Sequence, residues 1–261
     1  MDWIYLSPHF DDAALSCGGL IWEQSRTGIS ASIWTVCGGG VPPGPLSPFA
    51  TELQKRWQAS RDAEGKGSKA SSREMVELRR AEDIASCRLL QANFRHIEIP
   101  DCIYRYVEVN TGGRTYLYDS RPALFGTLHS SEISLVGKLS AELGSCIGGE
   151  THLVCPLGLG NHVDHQLTRL AAESLDRELW YYADFPYTRA DTRQLERMEG
   201  GGWKLTTFPI SPPGMQAWLK SIAAHRSQIS SFWPDQEAMQ EEVRDYSESN
   251  GGIRLWKPVS K

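Results

Sequence analysis

The 261-residue sequence predicts an α/β protein built on one doubly wound, mostly parallel sheet with loop and C-terminal decorations. Three observations predict it. Short apolar runs alternate with helix-period segments, the pattern of βαβ units feeding a parallel sheet. A hydrophobic content of 40% beside 23% charged residues supplies a core of ordinary size. No internal repeat or low-complexity tract offers another architecture, so residues 1–261 read as one domain.

Taken in order, Trp3–Leu6 reads as the first strand, Ala13 to about Arg26 as a helix ended by Gly28, and Ala31–Cys37 as the second strand. A proline-rich loop follows. Helical patterns then cover about Ala50–Ala63 and Arg73–Leu90, joined by the polar stretch Gly65–Ser72, which reads as mobile. His96–Ile99 makes a third strand stopped by Pro100, and Cys102–Phe125, rich in Tyr, Arg and Gly without periodicity, reads as a long loop. Ser131–Leu143 is amphipathic. His152–Cys155 gives the fourth strand, a helix starts near His162, Leu179–Tyr182 and Trp203–Phe208 are the fifth and sixth strands, and Met215–Ser231 is a helix. The tail from Pro234 is polar and ends with Trp256.

Lys and Arg total 27 against 32 Asp and Glu, a net charge of −5, and no long basic run occurs, which excludes a phosphate-tracking nucleic-acid surface. The amino terminus lacks a basic n-region, and no window approaches the ~18 apolar residues of a membrane span, so the expected location is the cytoplasm. The six cysteines stand singly and read as reduced core thiols rather than a disulfide framework or thiolate zinc knuckle.

Chemistry concentrates at two strand ends. Directly after the first strand stands Ser7-Pro8-His9-Phe10-Asp11-Asp12. Ligands of open α/β sheets bind at the carboxyl ends of strands, although these aspartates would serve equally to cap the helix that starts at Ala13. The second cluster, Gly158 to His165 with His162-Val163-Asp164-His165, follows the fourth strand and opens a helix in the same way. Alone, two histidines three apart are as consistent with a solvated helix face. In a sheet of order 3-2-1-4-5, however, the first and fourth strands are neighbours where the winding reverses, so both clusters face one crevice. Two imidazoles and a carboxylate with open positions make a facial metal site, and ligation by nitrogen and oxygen suits Zn²⁺ or Fe²⁺.

Over most of the chain the sequence resembles the PIG-L/LmbE-like family of zinc-dependent N-acetylglucosaminyl de-N-acetylases, a Rossmann-like fold. Its H-x-D-D signature after a strand matches His9-Phe10-Asp11-Asp12, and its later H-x-D-H matches His162-Val163-Asp164-His165. The resemblance implies His9, Asp12 and His165 as metal ligands, Asp11 as general base and His162 as the group that protonates or stabilises. Arg79-Arg80-Ala81-Glu82 resembles the family's R-x-x-E segment, which implies substrate contact by Arg79. Three positions depart from the family: Ala13 replaces a frequent glutamate, Phe10 a proline, and Gly160 a tyrosine that some members use as an oxyanion donor. Oxyanion support then falls mainly to the metal and His162.

The expected function is therefore hydrolysis of an N-acetyl group from an N-acetylglucosaminyl or related amino-sugar conjugate, with release of acetate and a free amine. An amide needs a Lewis acid and an activated water, and a carboxylate next to a ligand in sequence can take the water's proton. Two other readings stand beside it. His9-x-Asp11 with a distant histidine also fits a non-haem Fe²⁺ oxygenase, whose triad is usually built on antiparallel jelly-roll strands, and the departures admit a non-catalytic sugar-binding protein on the same scaffold. Tyr104, Tyr106, Tyr116 and Tyr118, and the run Tyr181–Tyr187, are candidates to line the crevice. The partner is a small molecule. A homo-oligomer is compatible with the sequence, which does not fix the assembly.

Overall fold

The computed structural model describes residues 2–62, 70–109, 113–189, 195 and 201–259. A seven-stranded sheet runs β3-β2-β1-β6-β7-β9-β8. Its strands are β1 (Asp2–Ser7), β2 (Ser30–Thr35), β3 (Asn93–His96), β6 (His152–Pro156), β7 (Leu179–Tyr182), β8 (Trp203–Phe208) and β9 (Ile253–Pro258). The helices are α1 (Asp12–Arg26), α2 (Pro48–Asp62), α3 (Ser72–Leu89), the short α4 (Arg121–Leu124), α5 (Ile133–Cys146), α6 (Val163–Glu173), α7 (Pro212–Ala224), α8 (Arg226–Phe232) and α9 (Gln236–Asn250).

β3, β2, β1, β6 and β7 take the expected order, and neighbours among them pair in parallel. Strands buried on both faces read as continuous apolar runs, and β1 is buried at every residue after Asp2. β1 lies between β2 and β6, with Trp3 opposite Ala31 on one side and His152 on the other. The winding reverses there, so the turns leaving β1 and β6 open side by side. Leu139, Leu143, Leu167 and Ala171 of α5 and α6 pack on one face of the sheet; Ala14, Leu15 and Ile21 of α1, with Trp218 and Ile222 of α7, pack on the other. Contact of α1 with α7 depends on Gly18. A Cβ there would stand 2.6 Å from Trp218 Cδ1, while Trp218 Nε1 donates to the Ala14 carbonyl at 2.9 Å.

The structure differs from the sequence reading in several places. Cys102–Phe125 contains the antiparallel hairpin β4 (Tyr106–Glu108) and β5 (Arg114–Tyr116) as well as α4, with Arg114 lying over the Tyr106 ring. The helix expected over Met215–Ser231 is broken at His225, whose ψ of 56° is not helical. The tail is not mere decoration: it forms α9 and then β9, which inserts antiparallel between β7 and β8. The third strand ends at His96, and only an isolated bridge from Cys37 to Glu98 continues it.

Of the stretch Gly65–Ser72, residues 65–69 lie outside the described residues, whereas Ser71 forms a capping box with Glu74 at the start of α3. All six cysteines are free; five are buried as expected, but Cys146 is exposed at the end of α5. Among the described residues no helix is long and apolar enough to cross a membrane.

Candidate active site

The turn after β1 is folded by Ser7, whose Oγ donates to the His9 carbonyl at 2.6 Å and accepts from Ala13 N at 2.9 Å. Ser7 therefore does the local work that aspartate caps would do. Asp11 makes no side-chain cap, and the Asp12 carboxylate accepts from His9 N at 2.7 Å and faces the imidazoles. After β6, positive φ at Gly158, Gly160 and Asn161 makes a tight turn that delivers His162 to the start of α6. A side chain at 160 would also meet the Tyr187 ring, 3.0 Å from its Cδ1.

Both clusters meet as the topology requires. Asp12 Oδ2 lies 3.1 Å from His9 Nδ1, and Asp12 Oδ1 lies 3.4 Å from His165 Nε2. The far nitrogens of both rings are held by other carboxylates: His9 Nε2 is 3.0 Å from Asp164 Oδ2, and His165 Nδ1 is 2.5 Å from Asp184 Oδ1. A ring nitrogen bound to a carboxylate keeps its proton, which turns the other nitrogen's lone pair toward Asp12. Two lone pairs and a carboxylate so arranged call for a cation. His165 Nε2 is buried without a hydrogen-bond partner, and nitrogens of His9, His162 and His165 come within 4.8 Å of one another. This donor set fits a divalent ion. The charges show the same demand for positive charge: against the cost of burial, Asp12 and then Asp184 push His165 up to about 9. Asp12 itself is held well below the usual carboxylate range against burial, by His165 and His9.

His162 differs from the other two imidazoles. Its Nδ1 accepts from Asp164 N at 3.2 Å and caps α6, so the neutral ring carries its proton on Nε2. Burial, reinforced by His9, pushes it well below its ordinary value. It thus presents a donor rather than a lone pair. Asp11 is buried beside these groups, and burial followed by the charge of Asp12 raises its carboxyl.

Arg79 is 7% exposed, its guanidinium carbon stands 5.6 Å from the Phe10 ring centre and 4.9 Å from that of Trp57, and Nη1 is 3.7 Å from Asp101 Oδ2, which in turn is 4.0 Å from His9 Nε2. Behind His9 stands a group of residues to which the sequence gives no role. Arg105 bridges Asp164 Oδ1 and Glu132 Oε1, each at 2.6 Å, and Tyr118 Oη donates to Glu132 Oε2 at 2.6 Å. Asp184 and Asp164 could have been picked out by position, one past a strand and the other inside the second motif. Arg105 and Glu132 sit in or beside a segment without periodicity and send no such signal.

A comparison with curated proteins finds a 2'-N-acetylparomamine deacetylase of Niallia circulans, 27% identical over 217 residues, covering 77% of this chain and 71% of that one. Among solved structures, a complex of a deacetylase from teicoplanin biosynthesis superposes with a TM-score of 0.78 at 23% identity, over 100% of this chain and 99% of that one. The zinc-inhibited form of a teicoplanin deacetylase follows at 0.77 and 22%, with the same coverage. These likenesses agree in fold, and the family comparison rests on the segment that carries both motifs. Residues 4–175 match the family described as GlcNAc-PI de-N-acetylase, and the chain belongs to this PIG-L family.

Proposed function

We propose that the protein is a zinc-dependent hydrolase that removes the N-acetyl group of an N-acetylglucosaminyl or related amino-sugar conjugate. The observation that carries this reading is Asp12, whose two oxygens face His9 Nδ1 and His165 Nε2 while both rings are oriented by further carboxylates. His9, Asp12 and His165 would hold the ion. Bound there, it supplies acidification of water and polarisation of the acetyl carbonyl.

The protein's residues do the rest. Asp11, whose basicity is raised by burial, takes the proton of the attacking water as its oxygen bonds to the acetyl carbon. His162, with its proton on Nε2, steadies the oxyanion by donating a hydrogen bond, and the proton taken up by Asp11 passes to the departing nitrogen as the C–N bond breaks, leaving acetate and an amine. Arg79 and Asp101, 3.7 Å apart beside His9, would offer a donor and an acceptor to sugar hydroxyls. The oxygenase alternative would use Asp11 as the ligand, yet Asp12 is the carboxylate placed against both imidazoles. The relatives' names, for acetylated paromamine and for teicoplanin, support an amino-sugar substrate.

The test is amine release by the zinc-loaded protein from matched panels of N-acetylglucosaminyl conjugates and N-acetylated amino acids. We expect kcat/KM to favour the sugars by at least ~10²-fold, the margin a site gains by hydrogen-bonding a polar ring. Equal rates, or preference for amino acids, would remove the sugar assignment. Inactivity on every amide would favour the sugar-binding alternative.

A further inference from the structure

His9 is held at Nε2 by Asp164, so its orientation is as well defined as that carboxylate. Asp164 is fully buried in the first turn of α6. Its Oδ2 accepts from Cys102 N at 3.0 Å and faces His9 Nε2 at 3.0 Å. Its Oδ1 lies 2.6 Å from the Arg105 guanidinium.

Arg105 is itself fixed on several sides. Nε meets Glu132 at 2.6 Å, Nη1 donates to the Pro100 carbonyl at 3.3 Å, and the guanidinium stands 5.5 Å from the Tyr118 ring centre. Glu132, 4% exposed at the foot of α5, accepts from Tyr118 Oη, which in turn accepts from His129 N at 2.8 Å. The planar fork thus ties three segments remote in sequence, at 105, 132 and 164, into one rigid unit. Two carboxylates on one guanidinium, Glu132 along Nε and Nη2 and Asp164 at Nη2, leave it little freedom to turn.

Resting on the metal reading above, we infer that Arg105 is a positioning residue of the metal centre. Its guanidinium, braced by Glu132, fixes the Asp164 carboxylate so that Oδ2 keeps the proton of His9 on Nε2 and leaves Nδ1 for the ion. Partners of this kind behind a ligating histidine typically contribute 10–100-fold to metal affinity. Lysine does not replace the fork, because its ammonium is a point donor that cannot span both carboxylates in a fixed plane. Tyr118 stands one link further out, and its effect follows through Glu132.

The experiment measures Zn²⁺ affinity of the full chain against a competing chelator, together with the visible spectrum of the Co²⁺-loaded protein, which reports ligand geometry. Arg105→Lys should weaken Zn²⁺ binding ~10–100-fold and shift the Co²⁺ bands, with Glu132→Gln next and Tyr118→Phe smallest in the same direction. Arg105→Met leaves two buried carboxylates unpaired and can fail to fold; the other three variants then decide. Wild-type affinity and an unmoved Co²⁺ spectrum in folded Arg105→Lys and Glu132→Gln would overturn the inference while the metal reading stands. A wild-type protein that takes up no divalent ion would remove the metal reading itself, and this inference with it.

Discussion

Replacing Asp184 by asparagine tests the site through a residue that touches neither substrate nor ion. Asp184 is 1% exposed and spends both oxygens: Oδ1 faces His165 Nδ1 at 2.5 Å, and Oδ2 accepts from Leu159 N at 2.9 Å. Both neighbours are donors, and an amide has only one acceptor oxygen. If the oxygen of the new amide turns to Leu159 N, its NH₂ confronts His165 Nδ1, and the imidazole must move its proton to Nε2, the position meant for the ion. If the oxygen turns to His165, the buried Leu159 N–H is opposed by another donor. The second choice costs about 1–3 kcal/mol of fold stability, or roughly 2–12 °C in Tm for a chain near this size. The first costs metal affinity, by about 10–100-fold for a lost partner of a ligating histidine, which is ~1.4–2.7 kcal/mol. Calorimetry and chelator competition on the same preparation separate the two. We expect at least one to fall. A folded Asp184→Asn protein with both Tm and Zn²⁺ affinity unchanged would refute the account of Asp184 as the group that orients His165 Nε2 toward the ion.

Three further outcomes are expected. Asp11→Asn should keep its metal and lose roughly 10²–10⁴-fold in kcat, with KM little changed, whereas Asp12→Asn should lose metal; the reverse order would exchange base and ligand, and metal content with steady-state rates decides. Gly160→Ala places a side chain at φ 79° against the Tyr187 ring and should cost about 1–2 kcal/mol, read as a lower urea midpoint, with kcat reduced because His162 stands two residues on; an unchanged midpoint would show that the turn can relax. His225, buried among Asp83, Arg79 and Asp12, is lowered by burial to about 4. Its folded value lies below the unfolded ~6.5, so its contribution is complete above pH 6.5 and is lost as pH falls toward 4. The loss at pH 5 is about 2 kcal/mol, and His225→Gln should flatten that part of the urea-midpoint profile; an equally steep profile in the variant would assign the acid loss elsewhere.

The crevice was legible in the sequence because its two halves lie where chain order and sheet order reinforce each other. A histidine and two aspartates end one apolar run and His162-x-x-His165 ends another, and parallel winding makes those runs neighbours as β1 and β6. What the periodicity missed is packed by few residues. Helix α9 buries only Met239, Val243 and Ser247, a stripe too thin to mark a helix in a polar tail. Trp256 of β9 gains meaning only when paired with Tyr181 on one side and Leu205 on the other. Asp184 lies two residues past β7, but its role depends on which way the His165 ring turns. The Arg105–Glu132 pair depends on the folding of a segment with no repeating pattern, so no window of sequence contains both its cause and its effect.

Charge balance links these parts into one argument for a cation. Asp101 and Asp164 pair with Arg79 and Arg105 and Asp11 feels the charge of Arg79, while Asp12 faces the imidazoles of His9 and His165 and Asp184 that of His165. Buried carboxylates in such excess must be neutralised by protons or by a metal. Without a metal, protons on the imidazoles provide part of the balance: His9 is raised well above its ordinary value against burial, by Asp12 and Asp164, and His165 is raised likewise. Those protons belong on Nδ1 of His9 and Nε2 of His165, the same two lone pairs that face Asp12. A divalent ion held at that point by His9, Asp12 and His165 would replace two protons with two charges and keep the outer carboxylates paired, leaving Asp11 to exchange protons with a substrate and His162 to donate a hydrogen bond to it. Zn²⁺ uptake at neutral pH should therefore release protons. A pH-stat titration that detects none would contradict the pairing of Asp12 with protonated imidazoles on which the proposed site rests.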